Sequence, residues 1–227
     1  MEGSGMRLLG GFRVVQIGDG LAAAVCGRLL ADVGANVSCL DPDNPTSLAE
    51  YLNHGKTVVS GEPAAARGVL AAADLILCEG QPEDIRRRQS DGRSLRRFNP
   101  RAVLVFISPF GQTGPQADDP AADLTLFFSS GIARLLTGQV DDLSEPPIRP
   151  VGEQSAFIGG VAAACAGMHA ALAAEPGAVL DVSIQEALGT MAISELARAG
   201  LAGKIWSRRR LADGNGATVT ILPACDG

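Results

Sequence analysis

Short apolar runs alternate with stretches of helical spacing along the first half of the chain. Arg13–Ile17 has the pattern of a buried strand that ends at Gly18, and the apolar positions of Leu21–Val33 recur at helical spacing up to Gly34. The same patterns predict further strands over Asn36–Leu40, Asp74–Cys78, Ala102–Ile107, Val179–Val182 and Ala217–Leu222, and a helix over Ala64–Ala73. This alternation predicts an α/β fold with a Rossmann-like parallel sheet and helices on both faces.

The pattern changes after Gly114-Pro115, where the helical stretches become long and rich in alanine. The predicted helices cover Asp123–Leu136, Gln154–Ala174 and Ser183–Ala199. Small side chains let helix axes approach one another, so we expect these helices to pack closely.

Composition narrows the class of protein. Of the 227 residues, 46% are hydrophobic, which suits one soluble domain. The formal net charge of -6 argues against nucleic acid as a partner, because binding to phosphates needs a basic surface. The five cysteines are scattered along apolar stretches, as expected for a reducing cytoplasm. We expect no membrane segment, because no apolar run reaches ~18 residues without a charge or a glycine. Residues 1–6 are interpreted as a tag remnant.

A glycine-rich turn between the first strand and the first helix is the first candidate for binding chemistry. Gly18–Ala23 opens the helix, and Asp41 ends the second strand about 20 residues later, as in a dinucleotide-binding fingerprint. Ala23 stands at the third glycine of that fingerprint, and a tight turn without any ligand fits equally well. An NAD-binding oxidoreductase domain is therefore one alternative.

A series of motifs along the chain resembles class III CoA-transferases of the CaiB/BaiF type. The motifs that carry the resemblance are Leu9–Val15, Leu29–Val37, Ala72–Leu77, Phe98–Arg101, Ile107–Pro115, Thr137-Gly138, Pro146–Pro150 and Leu180–Ser183. The most specific is Phe110–Pro115. The resemblance implies that residues 7–227 form the large, CoA-binding domain, without the smaller second domain of the family.

The resemblance implies coenzyme A, as CoA or acyl-CoA, as the ligand, with no metal. The implied contacts are Gly20, Leu21 and Ala22 at the glycine turn, Asp41 and Pro42 after the second strand, Lys56, the pair Glu79-Gly80 after the third strand, and Arg87 on the phosphates. A guanidinium suits phosphates because it donates to two oxygens at once. The alternative is that Arg86–Arg88 forms a solvated helix face and that Lys56 is an ordinary surface residue.

The family's nucleophilic aspartate has no counterpart at its expected position. Counting back from Gly167 by the family spacing leads to Phe157, whereas the nearest carboxylate, Glu153, lies about one helical turn earlier. Glu153 is the candidate nucleophile, but it can also be a residue that meets the helix dipole. Ala122 stands where related racemases carry a histidine, so the pattern argues against proton transfer.

The sequence therefore predicts a CoA-transferase family III-like protein that binds CoA or acyl-CoA and is catalytically degenerate, without an acyl-enzyme. The alternative is a non-catalytic CoA-binding or scaffold subunit of a larger complex. We expect a partner, either in a dimer or other homo-oligomer or in a hetero-complex that supplies the missing second domain, to cover apolar helix surface.

Overall fold

The computed structural model describes residues 8–18, 20–40, 46–59, 63–133, 140–146, 150–173 and 176–202. Six parallel strands form one sheet in the order β3-β2-β1-β4-β5-β6. They are β1 Arg13–Ile17, β2 Asn36–Leu40, β3 Thr57–Val59, β4 Leu75–Glu79, β5 Val103–Ser108 and β6 Val179–Ser183. The predicted α/β fold with a parallel sheet is confirmed.

Helices lie between the strands and after the last one. They are α1 Leu21–Asp32, α2 Ser47–Asn53, α3 Pro63–Ala72, α4 Pro82–Arg87, α5 Gly92–Arg96, α6 Asp123–Ser129, α7 Gln154–Leu172, α8 Ile184–Gly189 and α9 Ile193–Ala202, with a 3₁₀ turn at Thr190–Ala192. The five predicted strands that fall on described residues agree with the structure to within one residue at each end. The predicted strand over 217–222 lies outside the described residues.

Alternate residues of the central strands enter two separate apolar cores. In β4, Leu75 and Leu77 belong to the core that includes α1, α6, α7 and α8, whereas Ile76 and Cys78 belong to the core with α3, α4 and α5. All four side chains are at most 2% exposed. A strand buried on both faces has apolar residues at every position, which is why its sequence pattern was so clear.

The long helix α7 packs tightly against α1, as its small residues predict. A Cβ atom on Gly160 would lie 2.6 Å from the Ala22 carbonyl oxygen, and one on Gly167 would lie 2.8 Å from Leu75 Cδ1. By length and composition alone α7 could also cross a membrane. Its close contacts with α1 and β4 show that it is a packed helix of this domain.

The strand β3 and the short helices α2, α4 and α5 were not predicted, and two predicted helices are interrupted. The three-residue strand β3 leaves Val58 55% exposed at the sheet edge, so it has no buried pattern, and α2 was missed with it. The helix predicted over Asp123–Leu136 is broken after Ser129, because Gly131 adopts a left-handed φ of 83° that a helix cannot continue. Ile132 and Ala133 are again helical, and residues 134–136 of the prediction lie outside the described residues. The helix predicted over Ser183–Ala199 is interrupted by the 3₁₀ turn.

Candidate functional site

The candidate site lies at the carboxyl edge of the sheet, where β1 and β4 are neighbours. The chain leaves β1 toward β2 on one side and leaves β4 toward β5 on the other, and open α/β sheets bind ligands in the crevice at such a switch point. Gly18 and Gly80, with φ of 86° and 151°, turn the chain after these two strands. The exposed guanidinium of Arg88 lies over both glycines, since a Cβ on Gly80 would be 2.7 Å from its Nη2.

A pocket of about 430 Å³ opens beside this crevice, between β4, the segment after β5 and the start of α7. It is lined by Glu79, Gly80, Gln81, Asp84, Pro109, Pro120, Ala121, Ala122, Asp123, Leu126, Glu153, Ser155, Ala156 and Ile184. Four of these side chains are carboxylates. No lysine, arginine or histidine of the described residues lines it.

The start of α7 is capped by a carboxylate from another helix. Asp123 Oδ1 accepts a hydrogen bond from the Ser155 backbone N–H at 2.7 Å, and the Asp123 carbonyl oxygen accepts one from Ser155 Oγ at 3.0 Å. Glu153, the residue immediately before α7, makes no side-chain cap hydrogen bond. Asp123 therefore supplies the side-chain cap of α7, and Glu153 adds a second carboxylate at the same helix start.

Phe157 lies one turn into α7 and faces away from the pocket. It packs against a small apolar cluster of Ala24, Val25 and Leu52, and it is absent from the pocket lining. Glu153, by contrast, belongs to that lining.

The start of α1 is also capped by a side chain from elsewhere in the fold. Glu79 Oε2 accepts a hydrogen bond from the Ala23 backbone N–H at 2.7 Å. Gly20 precedes α1 and contributes no side-chain cap, and a Cβ atom there would lie 2.3 Å from Glu79 Cδ. Gly20 is thus required because the Glu79 side chain lies directly on its backbone.

Gln112 connects the segment after β5 to strand β6 and to the turn after β4. Its backbone N–H donates to Asp181 Oδ1 at 3.0 Å and Oδ2 at 2.9 Å, and its side-chain Nε2 donates to the Gly80 carbonyl oxygen at 3.1 Å. These contacts hold one wall of the pocket. Gln112 lies in the motif Phe110–Pro115 that the sequence singled out, although no role for it was predicted.

Lys56 lies in a closed network beneath α1. Its Nζ donates to Gln16 Oε1 at 2.8 Å, to the Ala24 carbonyl oxygen at 2.9 Å and to Asn53 Oδ1 at 3.2 Å. Burial lowers the pKa of the Lys56 ammonium to about 8. A Cβ on Gly27 would lie 2.7 Å from Gln16 Oε1, so this glycine leaves room for the network.

The structure thus brings only part of the predicted set together. Glu79, Gly80 and Glu153 line one pocket, whereas Leu21 packs against the small cluster of Ala24, Val25 and Leu52 and Ala22 belongs to the main core. Arg87 points to solvent and pairs with Asp84 on its own helix. Asp41 and Pro42 lie outside the described residues. The residues that sequence reasoning missed are Arg88, Asp123, Ser155, Gln112 and Asp181.

The fold is a doubly wound α/β domain with a pocket at its switch point, and the sequence assigns it to a family. The chain belongs to CoA-transferase family III, whose sequence model matches residues 9–227. It is 28% identical over 191 residues to a CaiB/baiF CoA-transferase family protein of Caenorhabditis elegans, covering 79% of this chain and 55% of that protein. It is 26% identical over 245 residues to the succinyl-CoA–D-citramalate CoA-transferase of Chloroflexus aurantiacus, covering 97% and 60%.

Solved structures show the same fold. A CaiB/BaiF family protein from Brucella suis superposes with a TM-score of 0.76 at 20% identity, over 89% of this chain and 60% of that one. The chain spans 55–60% of the length of the two curated relatives named above. Among the described residues, no three histidine, cysteine, aspartate or glutamate side chains are grouped so that they could hold a metal ion.

Proposed function

We propose that this chain is the CoA-binding part of a family III CoA-transferase and that it holds the acyl end of a CoA thioester in the pocket at the carboxyl edge. The observation that carries the proposal is the position of Glu153, which lines the pocket at the start of α7 beside Glu79 and Gly80. Family membership makes a CoA thioester the expected substrate. A pocket with four carboxylates repels phosphates, so the uncharged thioester end fits it better than the nucleotide end.

The CoA phosphates then lie outside the pocket, near Arg88. Its guanidinium is exposed, lies over Gly18 and Gly80, and donates long hydrogen bonds of 3.4 Å to the Glu79 and Asp84 carbonyl oxygens. Arg87, the arginine that the resemblance implied, is instead paired with the Asp84 carboxylate. A guanidinium at the switch point can donate to two phosphate oxygens. Arg88 is therefore our candidate for the phosphate contact.

Glu153 is our candidate for the carboxylate that accepts the acyl group. Helix α7 begins at Gln154, one turn before Phe157, so the residue at the start of the helix is a carboxylate. Because Asp123 caps the helix, Glu153 is not needed for that purpose. Its oxygen would attack the thioester carbonyl carbon, the carbon–sulfur bond would break, and CoA would leave as a thiolate, with a mixed anhydride on Glu153.

The second candidate is a CoA-binding subunit without catalysis. It is favoured by Phe157, which stands at the family spacing for the nucleophile and is packed among Ala24, Val25 and Leu52. If this candidate is correct, no acyl-enzyme forms. One experiment distinguishes the non-catalytic subunit from the enzyme with Glu153 as nucleophile.

The experiment is to incubate the protein with acetyl-CoA and propionyl-CoA, whose acyl groups carry no charge, to trap with hydroxylamine or borohydride, and to map the modified peptide by mass spectrometry. We expect a label on Glu153 that is lost in Glu153→Gln. Asp84→Asn is the matched control, since Asp84 lines the same pocket and should leave the label in place. CoA binding by calorimetry without any label would instead support the non-catalytic subunit, and no CoA binding at all would contradict both candidates.

We also propose that α7 is covered by a second copy or by another subunit. Val161, Cys165 and Leu172 form an exposed stripe along this helix, and Leu172 is 82% exposed. Apolar stripes of this kind are usually interfaces. Light scattering at micromolar concentration should show an assembly larger than one chain, and a well-behaved monomer would count against the proposal. The buried free thiols of Cys26, Cys39 and Cys78 support a reducing, cytoplasmic location.

A further inference from the structure

Helix α1 starts where dinucleotide-binding folds hold a pyrophosphate. In those folds the first N–H groups of the helix after β1 point at the phosphates, and the helix dipole favours their negative charge. The sequence around Gly18–Ala23 has this layout. In this chain an anion from the protein itself already lies there.

That anion is the Glu79 carboxylate. It accepts the hydrogen bond from the Ala23 N–H at 2.7 Å, and its side chain is so close to Gly20 that a Cβ there would lie 2.3 Å from Glu79 Oε2. A phosphate at the same N–H would have to displace the carboxylate or approach it as a like charge. Both are unfavourable, because displacement loses the hydrogen bond to the Ala23 N–H and a second anion beside the carboxylate is repelled by its charge.

We propose that Glu79 is a specificity-determining residue, which closes the start of α1 to the pyrophosphate of dinucleotides and so excludes NAD-type ligands from the crevice. The same contact directs the diphosphate of any nucleotide ligand to the outer side of the crevice. The inference concerns phosphate at α1 alone, so it does not rest on the binding of CoA.

The test measures binding of inorganic pyrophosphate and of NAD by calorimetry to the full 227-residue chain. Glu79→Ala removes the carboxylate, and Glu79→Gln removes the charge but keeps an oxygen for the Ala23 N–H. Glu83→Ala is the matched control, because Glu83 is an exposed carboxylate in the first turn of α4. It loses the same charge away from α1.

We expect no binding of either probe to the unmodified protein or to Glu83→Ala at about 1 mM, and a gain of about tenfold or more in pyrophosphate affinity for Glu79→Ala. The gain should be smaller for Glu79→Gln, because its amide still occupies the space. In amide NMR spectra the Ala23 signal should shift with pyrophosphate in the Glu79 variants and not in the unmodified protein.

Two results would overturn the proposal. One is NAD or pyrophosphate binding to the unmodified protein with a shift of the Ala23 amide. The other is a folded Glu79→Ala without any gain, or with a gain no larger than that of Glu83→Ala. If Glu79→Ala does not fold, Glu79→Gln decides by the same criterion. A parallel titration with CoA tests the proposed function separately, since its failure leaves the pyrophosphate result unchanged.

Discussion

Two regions next to α1 contain polar residues, and they differ in whether those residues line a cavity. Beneath the helix, Lys56, Gln16 and Asn53 form a closed network in which the ammonium contacts three protein acceptors. In the pocket at the carboxyl edge, Glu153 and Glu79 line open space. Lys56 and Glu153 were both candidates from the same resemblance, yet only Glu153 faces a place where a ligand can bind.

The comparison shows that a family resemblance can identify which residue type stands at a position without identifying what that residue does. Lys56 donates to three protein acceptors and so contributes to the stability of the domain. Its ammonium is therefore a poor candidate for a phosphate contact. Two of the pocket carboxylates differ in their contacts, since Asp123 caps the start of α7 and Glu153 lines the cavity. Variants of these residues test whether the two regions differ in this way.

The largest effect is expected from Lys56→Met, which keeps the length of the side chain and removes its ammonium. Gln16 is only 1% exposed and would lose the donor to its Oε1 atom, so we expect the free energy of unfolding to fall by about 2–3 kcal/mol. Urea denaturation followed by circular dichroism measures the change.

The control for this variant is Arg87→Met, which removes an exposed cation. The Arg87 side chain is 75% exposed, so its loss should change stability by less than about 0.5 kcal/mol. Equal losses in the two variants would show that the network beneath α1 does not stabilise the fold as we infer.

A smaller effect is expected from Asp123→Ala, which removes the acceptor for the Ser155 N–H at the start of α7. Loss of a helix cap costs about 1–2 kcal/mol. Asp123→Asn keeps an oxygen for this hydrogen bond and should retain most of the stability. Glu153→Ala removes no cap hydrogen bond and should cost less than Asp123→Ala. A larger loss for Glu153→Ala than for Asp123→Ala, measured by the same denaturation, would reverse the roles assigned here.

The amino-acid sequence was sufficient to locate the strands that are buried on both faces and to recognise the family. β4 and β5 have apolar residues at nearly every position because helices cover both sides of the sheet, and this made them recognisable without a structure. The edge strand β3 has three residues and little burial, so no local pattern marks it. The end of α6 depends on one glycine in a left-handed conformation, which a count of apolar positions does not reveal.

The contacts of each polar residue at the candidate site follow from the three-dimensional fold. Asp123 and Ser155 are 32 residues apart in the chain, and Ala23 and Glu79 are 56 apart, so no local rule could pair them. Arg87 and Arg88 are neighbours in sequence, yet α4 directs one toward Asp84 and the other over Gly18 and Gly80. A helix turns by about 100° per residue, and adjacent side chains therefore face different surroundings that the sequence alone does not specify.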